Sequence, residues 1–254
     1  MRYKMIIAYD GSYFHGFQRQ KEEISVQETI ENALSTILKQ PIIIHGAGRT
    51  DAFVHAYGQV AHFDSTQYVP ADTLKKILNK YVYPHIYVKD ISFVNDNFHA
   101  QKSAVGKEYH YKVSINKFDP LLANYVLFFH DRIDISKIRE AMKYIVGTHD
   151  FKTFAKLNIN KNTVRTIYKF DLTVKEGILE FKIIGNGFMY NMVRIIISLM
   201  LKVGEGKFPP EHIKEILEQK NRKYAPFVAA PQGLYLCQVF YDKDYLIKEE
   251  EIIK

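Results

Sequence analysis

Residues 25–41, SVQETIENALSTILKQP, hold the most complete set of local signals in the chain, and they limit what can form around them. Ser25 predicts an N-cap, Glu28 three residues later closes a capping box, and Pro41 stops the segment. Between them Val26, Ile30, Ala33, Leu34, Ile37 and Leu38 fall on one face at helical spacing. A helix with one apolar face must bury it, and the neighbouring runs offer strands to bury it against. YKMIIAYDG is β-rich and ends at the turn pair Asp10-Gly11, while YGQVAHFD and IYVKDISFV flank a short amphipathic helix, DTLKKILNK. The first half therefore reads strand, helix, strand, helix, strand.

The second half repeats the plan. In KEYHYKVSI, Tyr109, Tyr111, Val113 and Ile115 share one face of a strand, so Tyr109 points inward. A helix is predicted from Ser136 to about Val146, then strands RTIYKFDLTV and ILEFKII joined by the hairpin-like KEG. A strongly apolar helix follows Gly187 and runs to about Val203. A shorter one opens at Pro210, where proline is tolerated in the first turn, and GLYLCQVFY closes the sheet. The expected fold is α+β, with an N-terminal half over 1–104, a C-terminal half over 105–246 and a frayed tail over 247–254. No repeat is visible residue by residue.

Composition narrows the function classes. A single cysteine, Cys237, excludes an internal disulfide and a cysteine-based zinc site, so the cytoplasm is the default compartment. The longest apolar run, MVRIIISLMLKVG, is broken by Arg194 and Lys202 and falls short of the roughly 18 residues a membrane span needs. The apolar run before Asp10 is too brief for a signal peptide. The net charge is +7, and most of the excess lies in the second half. That favours a polyanionic partner. The 18 Tyr and 17 Phe fill the core in the main, with some available to stack on bases.

One segment resists a purely structural reading. IIIHGAGRTDAFVHAYGQVAHF (residues 42–63) sets Arg49 and Asp51 on a Gly-rich stretch between apolar runs. Gly46 and Gly48 would each cost a helix interior about 1 kcal/mol, so a loop is expected. Arg49 and Asp51 read either as a surface ion pair worth about 0–1 kcal/mol or as a nucleophile beside a phosphate-binding cation. Arg194, within an apolar helical face, needs a partner, whether a core acid, Asp51 or a phosphate. His55, His62, His99 and His110 match no compact metal-ligand spacing, and no metal is expected.

Taken in order, YDGSYFHGFQRQ, SVQETIENAL, GAGRTDAFVHAYGQVAHF, NFHAQKSAVGKEYHYKV, GTHDFKTF, GFMYNMVR and APQGLYL resemble the tRNA pseudouridine synthases of the TruA type over nearly the whole chain. The resemblance implies an RNA uridine isomerase with no cofactor and no metal, a homodimer whose two halves form antiparallel sheets flanking a central basic cleft. It makes Asp51 the match of the catalytic Asp and Arg49 that of its neighbouring Arg. Tyr109 matches the tyrosine stacked near the target base, Leu234 lies in a motif that walls the pocket, and Arg194 matches a helix Arg. The chain departs from the pattern at Phe53, where the family usually has Gly, and where a positive φ is no longer cheap. It departs also at Gln101-Lys102 in place of Arg-Phe, at Phe17 in place of Trp, and at Ile197 in place of a helix Gly. These departures bear on substrate choice more than on chemistry.

Isomerising uridine breaks C1′–N1, turns the uracil and joins C5 to C1′. A carboxylate serves either by adding to C1′ or by removing the C2′ proton. Arg49 is expected to orient Asp51 by a charge-assisted contact, with an RNA phosphate as its alternative partner. Tyr109 and Leu234 suit a pocket for a flipped base, with a core tyrosine as the plainer reading of Tyr109. Phe53 either stacks on a flipped neighbour or packs the loop. Arg19, Lys102 and Lys107 are candidates for phosphate contacts. The expected substrate is the tRNA anticodon stem-loop at positions 38–40. Another structured RNA such as ribosomal RNA is an alternative, and a non-catalytic RNA-binding protein is an alternative of another class.

Overall fold

Alternation builds the first sheet. In β1 (Arg2–Tyr9) the side chains of Tyr3, Met5, Ile7 and Tyr9 are buried, with partly exposed residues between them. A strand with this period-2 pattern lays one face on a core. The computed structural model describes residues 1–130, 132–155 and 162–244. The tail expected over 247–254 lies outside the described residues. A short β2 (His45–Gly46) pairs with β3 (His55–Asp64), and β1 runs antiparallel between β3 and β4 (Ile86–Val94). Helix α1 (Val26–Leu38) starts where expected, with the Ser25 hydroxyl accepting from the Glu28 amide at 3.3 Å. Its buried face holds Ile30, Leu34 and Leu38, and its C-cap Lys39 turns left-handed at φ 51°. Helix α2 (Ala71–Val82) lies against β4 and buries Leu74, Leu78 and Val82.

In the second unit the strands are ordered β5 (Gly106–Ser114), β9 (Ile178–Gly185), β8 (Val164–Lys175), β7 (Gly147–Asp150), all antiparallel neighbours. A short β6 (Leu127–Phe128) pairs parallel to β5. Tyr111, Val113, Leu179, Phe181 and Ile183 form the buried face of these strands. β8 and β9 are joined by Glu176-Gly177 with φ of 52° and 73°, the two positive values that a type I′ hairpin turn needs. Helix α3 (Ile135–Lys143) is capped by Asp134, whose carboxylate accepts from the Ser136 and Lys137 amides, and packs on α4 (Met192–Gly204). α5 (His212–Gln219) follows.

Element boundaries differ from expectation at β5 and α4. Ile115 lies beyond the end of β5 and is exposed. α4 opens at Met192 and not just after Gly187, because its N-cap Asn191 is left-handed at φ 62°. β10 (Leu234–Phe240) runs parallel to β3, with Tyr235 opposite His55 and Leu236 opposite Ala56. The chain accordingly divides into two compact units, one formed by Met1–Ala104 together with Tyr235–Tyr241, the other centred on Val105–Leu234. The class is α+β with mostly antiparallel strands. No helix among the described residues is long and apolar enough to cross a membrane.

Candidate active site

The loop carrying Asp51 belongs to the first unit and is fixed along most of its length. The Ala47 amide donates to the Val60 carbonyl at 2.7 Å, the Phe17 amide to the Thr50 carbonyl at 3.1 Å, and the Gln59 side-chain amide to the Gly48 carbonyl at 2.8 Å. The Thr50 hydroxyl and the Tyr9 phenol are 2.7 Å apart in the core, where burial pushes the phenol's pKa up although its hydrogen bonds to Thr50 and Gln59 oppose this. Gly16, at φ 98°, lets segment 14–17 pass against the loop, since a Cβ there would stand 2.8 Å from the Thr50 carbonyl oxygen. Phe17, in the place of the family's tryptophan, packs its ring over Gly46.

Asp51 opens a tight turn. Its carbonyl accepts from the Val54 amide at 3.2 Å, and Phe53 in the third position has φ 65°. A type II turn requires a left-handed residue there and normally takes Gly or Asn. A non-Gly residue held in that region costs about 1–3 kcal/mol. The sequence made a positive φ unfavourable at this position, and the fold adopts it nonetheless because the contacts on either side of Phe53 fix the turn. The Phe53 ring is 45% exposed and meets the His15 imidazole edge-on at 6.2 Å between centroids. Asp51 is half-buried.

Arg49 does not clamp Asp51. Its guanidinium is exposed and forms no ion pair or hydrogen bond with any described residue.

The second unit carries the other expected site residues. Tyr109 on β5 is buried and meets Phe188 edge-on at 5.2 Å. Two residues along the same face, the Tyr111 hydroxyl donates to the Ala230 carbonyl at 2.6 Å. Arg194, in the first turn of α4, donates through Nε to the Ala229 carbonyl at 2.7 Å and through Nη1 to Asn191 Oδ1 at 3.1 Å. Its partners thus include a loop carbonyl and a side-chain amide oxygen. That loop, 226–233, delivers buried Leu234 to the start of β10. Gly233 makes this passage possible, because a Cβ there would meet the Lys112 carbonyl and the Tyr111 ring at 2.8 Å.

The expected phosphate contacts fare unequally. Arg19 is taken up by helix α1, with Nη2 2.7 Å from buried Glu31 and Nε 3.8 Å from Glu28. Lys102 is exposed, next to the His99 ring that accepts its backbone amide. Lys107 is half-buried on β5. Burial holds its ammonium pKa below the ordinary range, and the nearby charge of Arg165 adds to this. Neither Lys107 nor Arg165 has an acidic partner among the described residues, so the two form a pair of uncompensated cations. Sequence reading missed Arg165, since only strand register brings it near Lys107, through Gly185, which lies opposite both Lys107 and Ile167.

The histidines divide. His62 and His99 join His45 in a ring cluster with centroids 4.7–5.9 Å apart, and both use Nδ1 to accept backbone amides. Burial first, then the neighbouring imidazoles, lowers the His62 pKa to about 4. His55 accepts from the Gly11 amide at 3.0 Å and stacks on Tyr235, while His110 sits between Glu108 and Glu180. No group of three metal-ligating side chains among the described residues is arranged to hold an ion.

A family model described as tRNA pseudouridine synthase matches residues 5–101 and 141–242. The chain belongs to this family, whose named members are isomerases. It is 44% identical to the tRNA pseudouridine synthase A of Geobacillus sp. (strain WCH70) over 95% of its own length and 98% of the relative's. With the enzyme of the same name from Bacillus subtilis (strain 168) it shares 42% identity over 95% of its length and all of the relative's. For that of Chlamydia muridarum (strain MoPn / Nigg) the identity is 42%, over 94% and 91%.

Proposed function

We propose that this chain converts uridine to pseudouridine in tRNA, at positions 38–40 of the anticodon stem-loop, with Asp51 as the group that attacks C1′ or removes the C2′ proton. Supporting this is the family membership together with one local observation: the loop that matches the family's catalytic segment is a fixed turn opening on Asp51. The balance of the reaction is internal. The C1′–N1 bond breaks, the uracil turns, C5 bonds to C1′, and the proton leaving C5 is replaced by one gained at N1, so no oxidant or cofactor is consumed.

Tyr109 receives the flipped base with Leu234, an assignment that suits two buried apolar surfaces. Arg49, Lys102, Lys107 and Arg165 contact phosphates; Arg19 does so only if RNA displaces Glu31. The protein acts in the cytoplasm as a homodimer, which sedimentation at graded concentration checks.

The test uses purified protein and Asp51→Ala with total RNA lacking pseudouridine, read by carbodiimide-stopped reverse transcription. The expected result is stops in the tRNA anticodon arm for the wild type and none for the variant. Stops confined to ribosomal RNA would move the substrate, and empty maps from both proteins while RNA binding persists would remove the enzyme reading.

A further inference from the structure

Phe53 combines three features that seldom occur together. It occupies the left-handed position of the turn that opens on Asp51. Its ring is exposed, so burial does not offset the strained backbone. The turn backbone that carries the ring is fixed from both sides: the Phe53 amide donates to the Phe14 carbonyl at 3.4 Å and the Val54 amide to the Asp51 carbonyl. Beside it stands His15, whose Nδ1 is 2.8 Å from a Glu23 carboxylate oxygen, which fixes the imidazole as a second flat surface at 64° to the first.

Two residues from the proposed nucleophile the chain thus holds an exposed aromatic ring, 45% accessible, with an imidazole 6.2 Å away between centroids. Backbone strain at a functional loop persists where the surrounding structure over-determines it, and a nucleobase is the partner whose flat π-surface such a ring accepts without regard to sequence. We propose that Phe53 is a substrate-positioning residue that stacks on the nucleobase adjoining the target uridine and so holds the RNA open while that uridine is turned into the site. The inference rests on the proposed RNA isomerase reading and specifies its substrate contact. The contact makes selection among uridines depend on the stackability of a neighbour.

The test is a cycle between protein and RNA. Wild type, Phe53→Gly, Phe53→Leu and Phe53→Tyr are assayed on an anticodon stem-loop RNA and on versions with an abasic site immediately 5′ or 3′ of the target. Both kcat/KM and filter-binding affinity are measured, so that an inactive preparation still reports the coupling. On intact RNA, Phe53→Gly and Phe53→Leu are expected to lose about 5- to 100-fold in affinity, the range of one base–aromatic stack, mostly through KM, with Phe53→Tyr restoring it. On one of the two abasic RNAs the difference between wild type and Phe53→Gly is expected to vanish.

The stability readout separates this from a packing role. Phe53→Gly relieves the turn and is expected to raise Tm by about 2–4 °C, whereas a ring that packs the loop would make the same change destabilising. A Phe53→Gly loss that is equal on intact and abasic RNA, or a Phe53→Leu protein indistinguishable from wild type, overturns the proposal. If the wild type binds with the expected coupling yet isomerises nothing, the enzyme reading fails and the stacking contact stands.

Discussion

Main-chain bonds and neutral side chains take part in holding the Gly46–Val54 loop, whereas a cation bonds the loop ahead of Leu234. In the first, amides of Ala47, Phe17 and Val54 meet carbonyls, and the side chains that assist are Tyr9, Thr50 and Gln59. In the second, Arg194 gives Nε to Ala229, and Tyr111 supports the next carbonyl. The remaining sheet faces repeat the difference. On the strands of the first unit, burial holds the pKa of His62, one of a cluster of imidazoles, below its ordinary value. On the second, Glu108, His110, Lys182 and Glu180 form an ion network. There burial alone would raise the Glu108 pKa, but the His110 hydrogen bond and the Lys182 charge reverse this and hold it below the usual carboxylate range.

Removing the cation is the strongest way to break this contrast. Arg194→Ala deletes two charge-assisted bonds and leaves the Ala229 carbonyl short of a donor, and bonds to charged groups contribute about 1.5–3 kcal/mol each. Expected is a loss of about 3–4 kcal/mol in urea unfolding with a fall in kcat on the order of a hundredfold. Arg194→Lys should recover part of the stability and little of the rate, because a lysine lacks the planar fork that reaches both acceptors. A fully stable Arg194→Ala would mean that this loop supports itself as the first one does.

Acid should separate the two units next. The His62 pKa is lowered in the fold, so between its unfolded value of 6.5 and about 4 the unfolded chain binds the extra proton, and stability falls as pH falls through that window. About 2.5 pKa units correspond to about 3 kcal/mol at the acid end. Glu108 also has a lowered pKa, and its contribution is lost only below its ordinary 4.5. His62→Asn keeps an acceptor for the Ala100 amide and removes the titration, so urea unfolding between pH 6.5 and 4 should flatten while the limb below pH 4.5 remains. An unchanged upper limb would assign it to another group.

These contrasts were unequally legible in the sequence. Periodicity and capping located α1 and most strands, since Ser25, the Val26 to Leu38 face and the alternation around Tyr109 to Val113 are local patterns. What depends on pairing across the chain was not legible. The parallel join of β10 to β3, the short β2, β6 and β7, and the approach of Arg165 to Lys107 follow from strand register, which no short window contains. At the candidate site, ordered motifs identified Asp51, Arg49, Tyr109, Arg194 and Leu234 as residues to examine. Their bonds were less readable, because the Ala229 carbonyl that Arg194 reaches lies on a loop 35 positions away in the chain.

A smaller effect tests whether the first loop depends on neutral bonds at all. Thr50→Val keeps the shape of the side chain and removes the hydroxyl from the Tyr9 phenol, which then lies buried with one partner fewer. The expected cost is about 1–2 kcal/mol, with turnover lowered in step because the turn before Asp51 loosens. The companion Tyr9→Phe, Thr50→Val double variant should cost less than the sum of the two single changes, since the second substitution removes the partner that the first leaves unsatisfied.

Arg49→Ala should have the least effect on the fold, and that is its value. The guanidinium is exposed and bonded to no described residue, so chemical unfolding should shift by no more than about 0.5 kcal/mol. If this cation meets a phosphate, RNA affinity falls while the slope of log affinity against log salt becomes shallower by about 1, the signature of one lost phosphate contact. Had Arg49 instead oriented Asp51, the variant would lower kcat with the salt slope intact. The two outcomes cannot be confused, because one is read from binding at graded salt and the other from turnover at saturating RNA. They decide whether the Gly46–Val54 loop keeps its exposed cation for the substrate.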